Sequence, residues 1–255
     1  MKILIVSDIH GNWPALRAVL EAESNAERIL CLGDLVNYGP QPGECVAWAK
    51  EILPPEWVIQ GNHDRAVGFD DNPHCSPAYA PLAEATQEFT SRSLTREMKT
   101  FLASLEPMRS FEFGKGKCVA CHASPKDPLY HYMPESAAAT LWESEVIIVG
   151  LPDFLFLGHT HVPMKTQLLK TLLVNPGSVG QPKHDDPRAA YAVWEDDEVT
   201  LRRAPYDVEE TIRAYDGLGL EPHILHSLTE MLRTGGALPV QHVRLEPEKA
   251  RHEQT

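Results

Sequence analysis

Trp57-Val58-Ile59-Gln60-Gly61-Asn62-His63-Asp64 sets an apolar run directly against an amide, an imidazole and a carboxylate. The run reads as a strand over 56–60, and the three polar groups fall where it ends. Alone such a string decides little, because Asp and Asn are ordinary turn formers and a lone His is more often hydrogen-bonded than metal-bound. Four other segments share its form: Ser7-Asp8-Ile9-His10, Gly33-Asp34, Cys121-His122 and Gly158-His159-Thr160-His161, each behind an apolar run. Asp8, His10, Asp34, Asn62, His122, His159 and His161 are of the kinds that hard and borderline divalent metals take as ligands. They sit at strand ends, where an α/β sheet holds its ligand crevice. A glycine before Asp34, Asn62 and His159 lets the backbone approach closely there. If His159-Thr160-His161 is extended, both imidazoles point to one side and can serve two metals about 3.5–4 Å apart.

Read in order, the first sixty residues are β-α-β-α-β, which packs as a right-handed parallel sheet. Residues 2–7 form a strand buried on both faces, Asn12 caps a helix with Pro14 in its first turn, and 28–32 make the second strand. A helix over 43–52 leads to the strand at 56–60. Residues 66–80 read as a loop beside the site, and 81–105 as one long helix. Strands at 110–113 and 117–121 flank a Gly114-Lys115-Gly116 turn. A helical stretch over 134–149 follows, its end blurred by Val146-Ile147-Ile148-Val149. Phe154-Leu155-Phe156-Leu157 is a strand. Strands at 171–174, 189–194 and 198–203 suggest a second, more antiparallel sheet. Asp207 and Glu210 form a capping box for a short helix closed by Gly217, and another helix spans 222–233. Residues 1–205 are expected to form the main domain. Residues 206–255 are expected to be a helical extension packed on it, with a tail frayed from about 245.

Composition narrows the function. The chain has 255 residues, 43% of them apolar and 23% charged, which fits a folded domain with a substantial core. A net charge of −13 argues against long nucleic acid, which needs a basic footprint. A small anionic substrate stays compatible, since bound cations reverse the field locally. No apolar run is long enough for a membrane span, and the start reaches Asp8 too soon for a signal peptide. Five cysteines at irregular spacing imply reduced thiols and a cytoplasmic location. Cys118 and Cys121 form a C-x-x-C, but residues three apart on a strand face opposite ways, which argues against a shared metal.

The blocks Asp8-Ile9-His10-Gly11, Gly33-Asp34-Leu35-Val36, Gly61-Asn62-His63-Asp64, Cys121-His122 and Gly158-His159-Thr160-His161 together resemble the calcineurin-like metallophosphoesterase superfamily in order and content. The resemblance spans residues 3–180 and implies a four-layer α/β/β/α sandwich of two sheets flanked by helices, with a dinuclear metal site at the strand ends. Carried over by position, Asp8, His10 and His161 would hold one metal, and Asn62, His122 and His159 the other, with Asp34 bridging both. The cofactors implied are two divalent ions, Mn²⁺ foremost, with Fe, Zn, Co, Ni or Mg acceptable to such ligands. The reaction implied is phosphoester hydrolysis by in-line attack of a metal-bridging hydroxide. His63 resembles the family's non-ligand histidine that protonates the leaving oxygen, and Asp64 beside it would orient the imidazole.

The chain departs from the protein phosphatases of that superfamily, which carry Asp-Arg-Gly where Asn37-Tyr38-Gly39 stands here. A bidentate phosphate ligand is thereby missing. The pattern looks closer to the small bacterial phosphodiesterase branch, with Arg65, Asn37 and Tyr38 as candidates for contacting substrate. Asn175-Pro176-Gly177-Ser178 resembles the family's segment near the site and reads first as a tight turn. The expected partner is a small phosphodiester or phosphomonoester. A nucleotide or dinucleotide phosphatase and a nuclease stand as alternatives within the enzyme class. A silent metal-binding scaffold is the non-enzyme alternative, disfavoured because all seven ligand types and His63 are present. Oligomeric state is not readable from the sequence.

Overall fold

A computed structural model of the chain describes residues 1–236 apart from Lys115 and Asp197. Every second residue of strand β1 (Ile3–Val6) belongs to a different core, and that alternation generates the layering. Ile3 and Ile5 pack with Leu30 and Leu32 on one side and with Ala120, Phe156 and Val174 of the opposing sheet on the other. Leu4 and Val6 pack outward on the helices α1 (Trp13–Ala22) and α2 (Pro42–Ile52) through Leu16, Val19 and Val46. Because a strand turns successive side chains to opposite faces, a continuous apolar run is what burial on both faces requires.

The first sheet has the order β2-β1-β8-β9, with β2 spanning Arg28–Cys31, β8 Ala189–Glu195 and β9 Glu198–Ala204. The second has the order β3-β4-β5-β7-β6, with β3 Met108–Phe113, β4 Gly116–Cys121, β5 Phe154–Phe156, β6 Met164–Leu168 and β7 Thr171–Asn175. Its outer face packs on helix α6 (Ala139–Ile148) through Trp142 and Val146. The expected α/β/β/α sandwich is thus present. Cys118 lies in the core between the sheets and Cys121 in the core under α6, so the C-x-x-C faces both ways.

The sheets differ from the sequence expectation in how they are assembled. Only β1 and β2 are parallel in the first sheet, since β8 pairs antiparallel with β1 and carries β9 with it. The C-terminal strands do not form a sheet of their own, and β6 is an additional strand antiparallel to β7. The strand expected at 56–60 is reduced to single bridges, Cys31 with Val58 and Ile59 with Glu106, behind a 3-10 turn at Pro55–Trp57. Pro54 and Pro55 supply no N–H to a ladder and preset the turn. The loop expected from residue 66 begins later, because Asn62–Phe69 is a helix, α3. The long helix expected over 81–105 is two, α4 (Ala80–Ser93) and α5 (Arg96–Ser104), parted where Thr95 caps α5 by accepting from Met98 N.

Helix α7 (Val208–Arg213) is capped by Asp207, and it ends at Arg213 before the turn that reaches Gly217. Helix α8 (Pro222–Thr234) packs with Tyr215 against α4 and Tyr38. The expected frayed tail lies outside the described residues. Among the described residues no helix is long and apolar enough to cross a membrane.

One buried ion cluster ties the first sheet to α1. Glu23 is 5% exposed and meets Lys2 Nζ at 2.6 Å, Arg202 at 2.8 Å and the Tyr191 hydroxyl at 3.0 Å. Burial alone would raise its pKa, but the hydrogen bonds from Lys2, Arg202 and Tyr191 bring it below the ordinary value. Glu23→Ala should destabilise the fold by about 3 kcal/mol in urea denaturation, because it strands a buried lysine. A depressed carboxyl pKa contributes stability above the unfolded value and loses it as pH falls through the folded one. The gap between wild type and Glu23→Gln should therefore be wide at pH 7 and narrow as pH falls below the ordinary glutamate pKa of about 4.3 and on through the depressed one.

Candidate metal centre

The C-terminal ends of β1, β2, β4 and β5, with the segment after Ile59, converge at one end of both sheets. At these ends the backbone turns sharply. Asp8, His10, Asp34, Asn37, Tyr38, His159 and His161 all adopt positive φ, between 47° and 66°. That region costs a residue bearing a Cβ about 1–2 kcal/mol, and such strain gathers where function demands it. His159-Thr160-His161 is consequently not extended, yet its imidazoles do part to different donor groups. Glycine is required at Gly61, where a Cβ would land on the Asp34 carboxylate and backbone nitrogen, and at Gly158, where it would land on Ser7 Oγ.

All seven predicted metal ligands meet. Donor atoms of Asp8, His10, Asp34 and His161 lie within 4.8 Å of one another, and those of Asp34, His122 and His159 form a second such group. Asn62 joins the second group, its Oδ1 lying 3.1 Å from His122 Nε2 while its amide donates to Pro73 O at 2.7 Å. Asp34 belongs to both. Its Oδ2 is 3.2 Å from His122 Nε2 and 3.6 Å from His10 Nε2, while Oδ1 accepts from His63 N at 2.9 Å.

Hydrogen bonding fixes which ring nitrogen faces inward. His10 Nδ1–H donates to Val36 O at 2.9 Å, His122 Nδ1–H to Leu32 O at 2.8 Å and His161 Nδ1–H to Gln181 O at 2.6 Å. A carbonyl only accepts, so Nδ1 carries the proton in each ring and Nε2 turns its lone pair inward. His10 Nε2 and His161 Nε2 then face each other at 3.2 Å. Burial pushes His10 down to about 3 and His161 well below its ordinary value, so neither ring takes a second proton there. Two lone pairs beside the Asp8 and Asp34 carboxylates call for a cation between them, and the nitrogen and oxygen donors fit a divalent metal.

Charge is distributed unevenly over the cluster. Burial raises Asp8 to about 6 although His122 pulls it down, and Asp34 adds to the rise. Burial would also raise Asp34, but His122, His63 and His10 hold it well below the usual carboxylate range. Burial opposes protonation of His122, yet Asp34 lifts it to about 9. A divalent cation would take the place of that proton.

His63 stands beside the donors, only 3% exposed. Asp64 does not orient it. The Asp64 carboxylate accepts from Asp34 N and Leu35 N at 2.8 Å and from Gly61 N at 3.0 Å, closing the first turn of α3 and clamping the Asp34 loop. Neighbours in a helix point apart, so Asp64 cannot reach the ring next to it. Asn37 supplies that contact instead, its amide 2.9 Å from His63 Nδ1, and Cys75 Sγ lies 3.4 Å from Nε2. Burial works against the charged ring, but Cys75 and Asp34 bring its pKa above the ordinary value.

The substrate-contact expectations fare differently. Asn37 is fully buried and committed to His63. Tyr38 is 3% exposed and wedged between the His10 and His63 rings, 4.8 and 4.9 Å from their centres. Both side chains are packed within the site, Asn37 against His63 and Tyr38 between two histidine rings. Arg65 lies over the Phe69 ring at 4.7 Å and hydrogen-bonds Tyr130. The Asn175–Ser178 turn does more than reverse the chain. Asn175 Nδ2 donates to Gly158 O at 2.7 Å and Ser178 Oγ to Asp8 O at 2.7 Å, bracing two ligand loops at once. Asn12 caps α1 as expected, accepting from Ala15 N at 3.2 Å.

The fold recurs in known proteins. The Calcineurin-like phosphoesterase superfamily domain matches residues 1–198. This chain belongs to that superfamily. An uncharacterized protein of Methanocaldococcus jannaschii is 34% identical over 230 residues, covering 82% of this chain and 89% of its own. Phosphodiesterase YfcE of Escherichia coli is 28% identical over 211 residues, covering 79% and 91% respectively. A crystal structure of a metallophosphoesterase from Sphaerobacter thermophilus superposes with TM-score 0.77 at 31% identity, over 92% of this chain and 99% of that one. The chain is a phosphoric ester hydrolase, and the buried Asp/His cluster together with the family points to divalent metal ions.

Gly61→Ala should lower metal retained after dialysis, read by elemental analysis, because the new methyl displaces Asp34 from both donor groups. Gly43→Ala, where an added Cβ meets nothing within 4 Å, should retain metal as wild type does. Equal metal content in the two variants would contradict the packing described at Gly61.

Proposed function

We propose that the chain hydrolyses a small phosphodiester or phosphomonoester with two divalent metals, Mn²⁺ foremost. One metal is held by Asp8, His10 and His161, the other by Asn62, His122 and His159, and Asp34 is shared. The observation that carries this reading is the inward convergence of three Nε2 atoms on the Asp8 and Asp34 carboxylates. When bound, the metals supply Lewis-acid activation of the phosphoryl group and of the attacking water.

The chain's own residues do the rest. His63 gives the proton at Nε2 to the departing oxygen, a general-acid role served by a raised pKa. Asn37 holds the far side of the ring at Nδ1, fixing which way Nε2 points. Tyr38 fills the space behind His10 and His63, and its own carbonyl accepts from the Tyr215 hydroxyl at 2.8 Å. We therefore read the helical extension from residue 206 as part of the same working unit. Five free cysteines, none in a disulfide, support a cytoplasmic location. The net charge of −13 favours small substrates over nucleic acid polymers.

Metal-reconstituted protein should cleave bis-p-nitrophenyl phosphate or p-nitrophenyl phosphate, lose the activity on chelation, and lose it again in Asp34→Asn. Protein with full metal content that cleaves neither ester nor any nucleotide would rule the reading out. His63→Ala should slow turnover roughly 10²–10⁴-fold, most for poor leaving groups. Since the acid must be protonated, wild-type rates on poor leaving groups should fall as pH rises through the elevated His63 pKa. Removing His63 should flatten that alkaline limb.

A further inference from the structure

Beside the second donor group the rim of the centre is aromatic, and its rings are held in place without being buried. The loop that leaves β4 after His122 is closed on itself. Ala123 N donates to Pro128 O at 2.8 Å, and Asp127 Oδ1 accepts from Leu129 N and Tyr130 N at 3.3 and 3.2 Å. It is also fastened to α6, because Lys126 N donates to the buried Glu145 carboxylate at 2.8 Å. Further along, His131 Nδ1 lies 2.9 Å from Ser124 Oγ, and Met133 is buried in the core under α6. Tyr132 stands between these two fixed neighbours. It is nevertheless 53% exposed, with its ring 5.8 Å from that of His159 at an interplanar angle of 64°. That is the spacing of an edge-to-face pair, which leaves at least one face of the tyrosine ring uncovered by the imidazole.

A second aromatic pair stands on the same side. Asn62 Nδ2 donates to Pro73 O at 2.7 Å, and the next residue, His74, takes a φ of 54° and sets its ring 4.9 Å from that of Tyr130. Left-handed backbone is costly for a residue bearing a Cβ and gathers where function demands it. One loop thus brings two tyrosines to the second donor group. Tyr130 meets the segment that holds Asn62, and Tyr132 meets His159 directly. Leaving a large aromatic face in water forgoes the free energy of its burial, and fixing it there gives up freedom before any ligand arrives. A planar ligand laid on the ring recovers the first and does not have to supply the second. Aliphatic esters would be matched by an aliphatic rim. Tyrosine faces with hydroxyl tips suit a flat heteroaromatic group, and such stacking tolerates any base.

We propose that the substrate is a phosphoester of a nucleoside and that Tyr132 is the face on which its base stacks, placing the ester phosphate over the metal donors. Tyr132 is a substrate-contact residue outside the donor set, and it selects for the group attached to the phosphate rather than for the phosphate itself. The proposal rests on the phosphoesterase reading, and its test is therefore made on ligand binding, apart from turnover.

Adenosine 5′-monophosphate and ribose 5-phosphate share a sugar and a phosphate and differ in the base. Each is titrated calorimetrically into Mn²⁺-loaded wild type, Tyr132→Phe and Tyr132→Ala, with metal content measured in all three. Wild type should bind the nucleotide about 5- to 100-fold more tightly than the sugar phosphate, the range of one base–aromatic stack. Tyr132→Ala should lose that preference at unchanged metal content, with ribose 5-phosphate within about twofold of wild type, while Tyr132→Phe should keep it within about threefold. Equal affinity for the two ligands in wild type, or a preference that survives in Tyr132→Ala, would overturn the assignment. A loss of both ligands or of metal in Tyr132→Ala would overturn it too, because the ring would then be supporting His159 instead of a base. A preference that depends on Tyr132 in a fully metallated protein that cleaves no phosphoester would keep the base contact and remove the esterase reading.

Discussion

Asp34 is one carboxylate asked to face two groups of lone pairs at once. It is 1% exposed, and one of its oxygens lies within 3.6 Å of imidazole nitrogens from two different strand ends. Water cannot compensate so much converging negative charge in a buried place, and the rings that could do so by protonation are mostly held neutral by burial. His122 is the exception, drawn to about 9 by Asp34 itself. Divalent cations would resolve the conflict, and much of the surrounding structure holds Asp34 in place. Asp64 clamps its backbone from α3, Gly61 leaves room for its carboxylate, and Gly33 takes a φ of 92° to turn the chain into it.

Two sheets bring the donor side chains in from different directions, which no single edge does. β1 and β2 deliver Asp8, His10 and Asp34 from one layer, and β4 and β5 deliver His122 and His159 from the other, with the apolar contact between the layers fixing their separation. Seven residues in the left-handed region mark how far the loops depart from relaxed backbone. Braces across the layers maintain that strain. Gly158 N donates to His122 O, Asn175 holds Gly158 O, and Ser178 holds Asp8 O.

What could be seen in the sequence followed how local each signal was. The convergence of the seven donor residues was legible because their segments each follow an apolar run, and the four layers came with the resemblance those blocks carry. Strand partnership was not legible, since nothing in Ala189–Glu195 says that it returns to lie beside β1. Adjacency misled at Asp64, which is next to His63 in sequence and turned away from it by the helical step, whereas Asn37, twenty-six residues earlier, touches the ring.

The most direct measurement is anomalous diffraction from a crystal of the Mn²⁺-loaded protein at the manganese edge. Two peaks are expected about 3.5–4 Å apart, with the Asp34 carboxylate between them. One peak should lie against Asp8, His10 and His161, and the other against Asn62, His122 and His159. A single peak, or two peaks with Asp34 bound to only one, would contradict the shared-carboxylate arrangement on which the site depends.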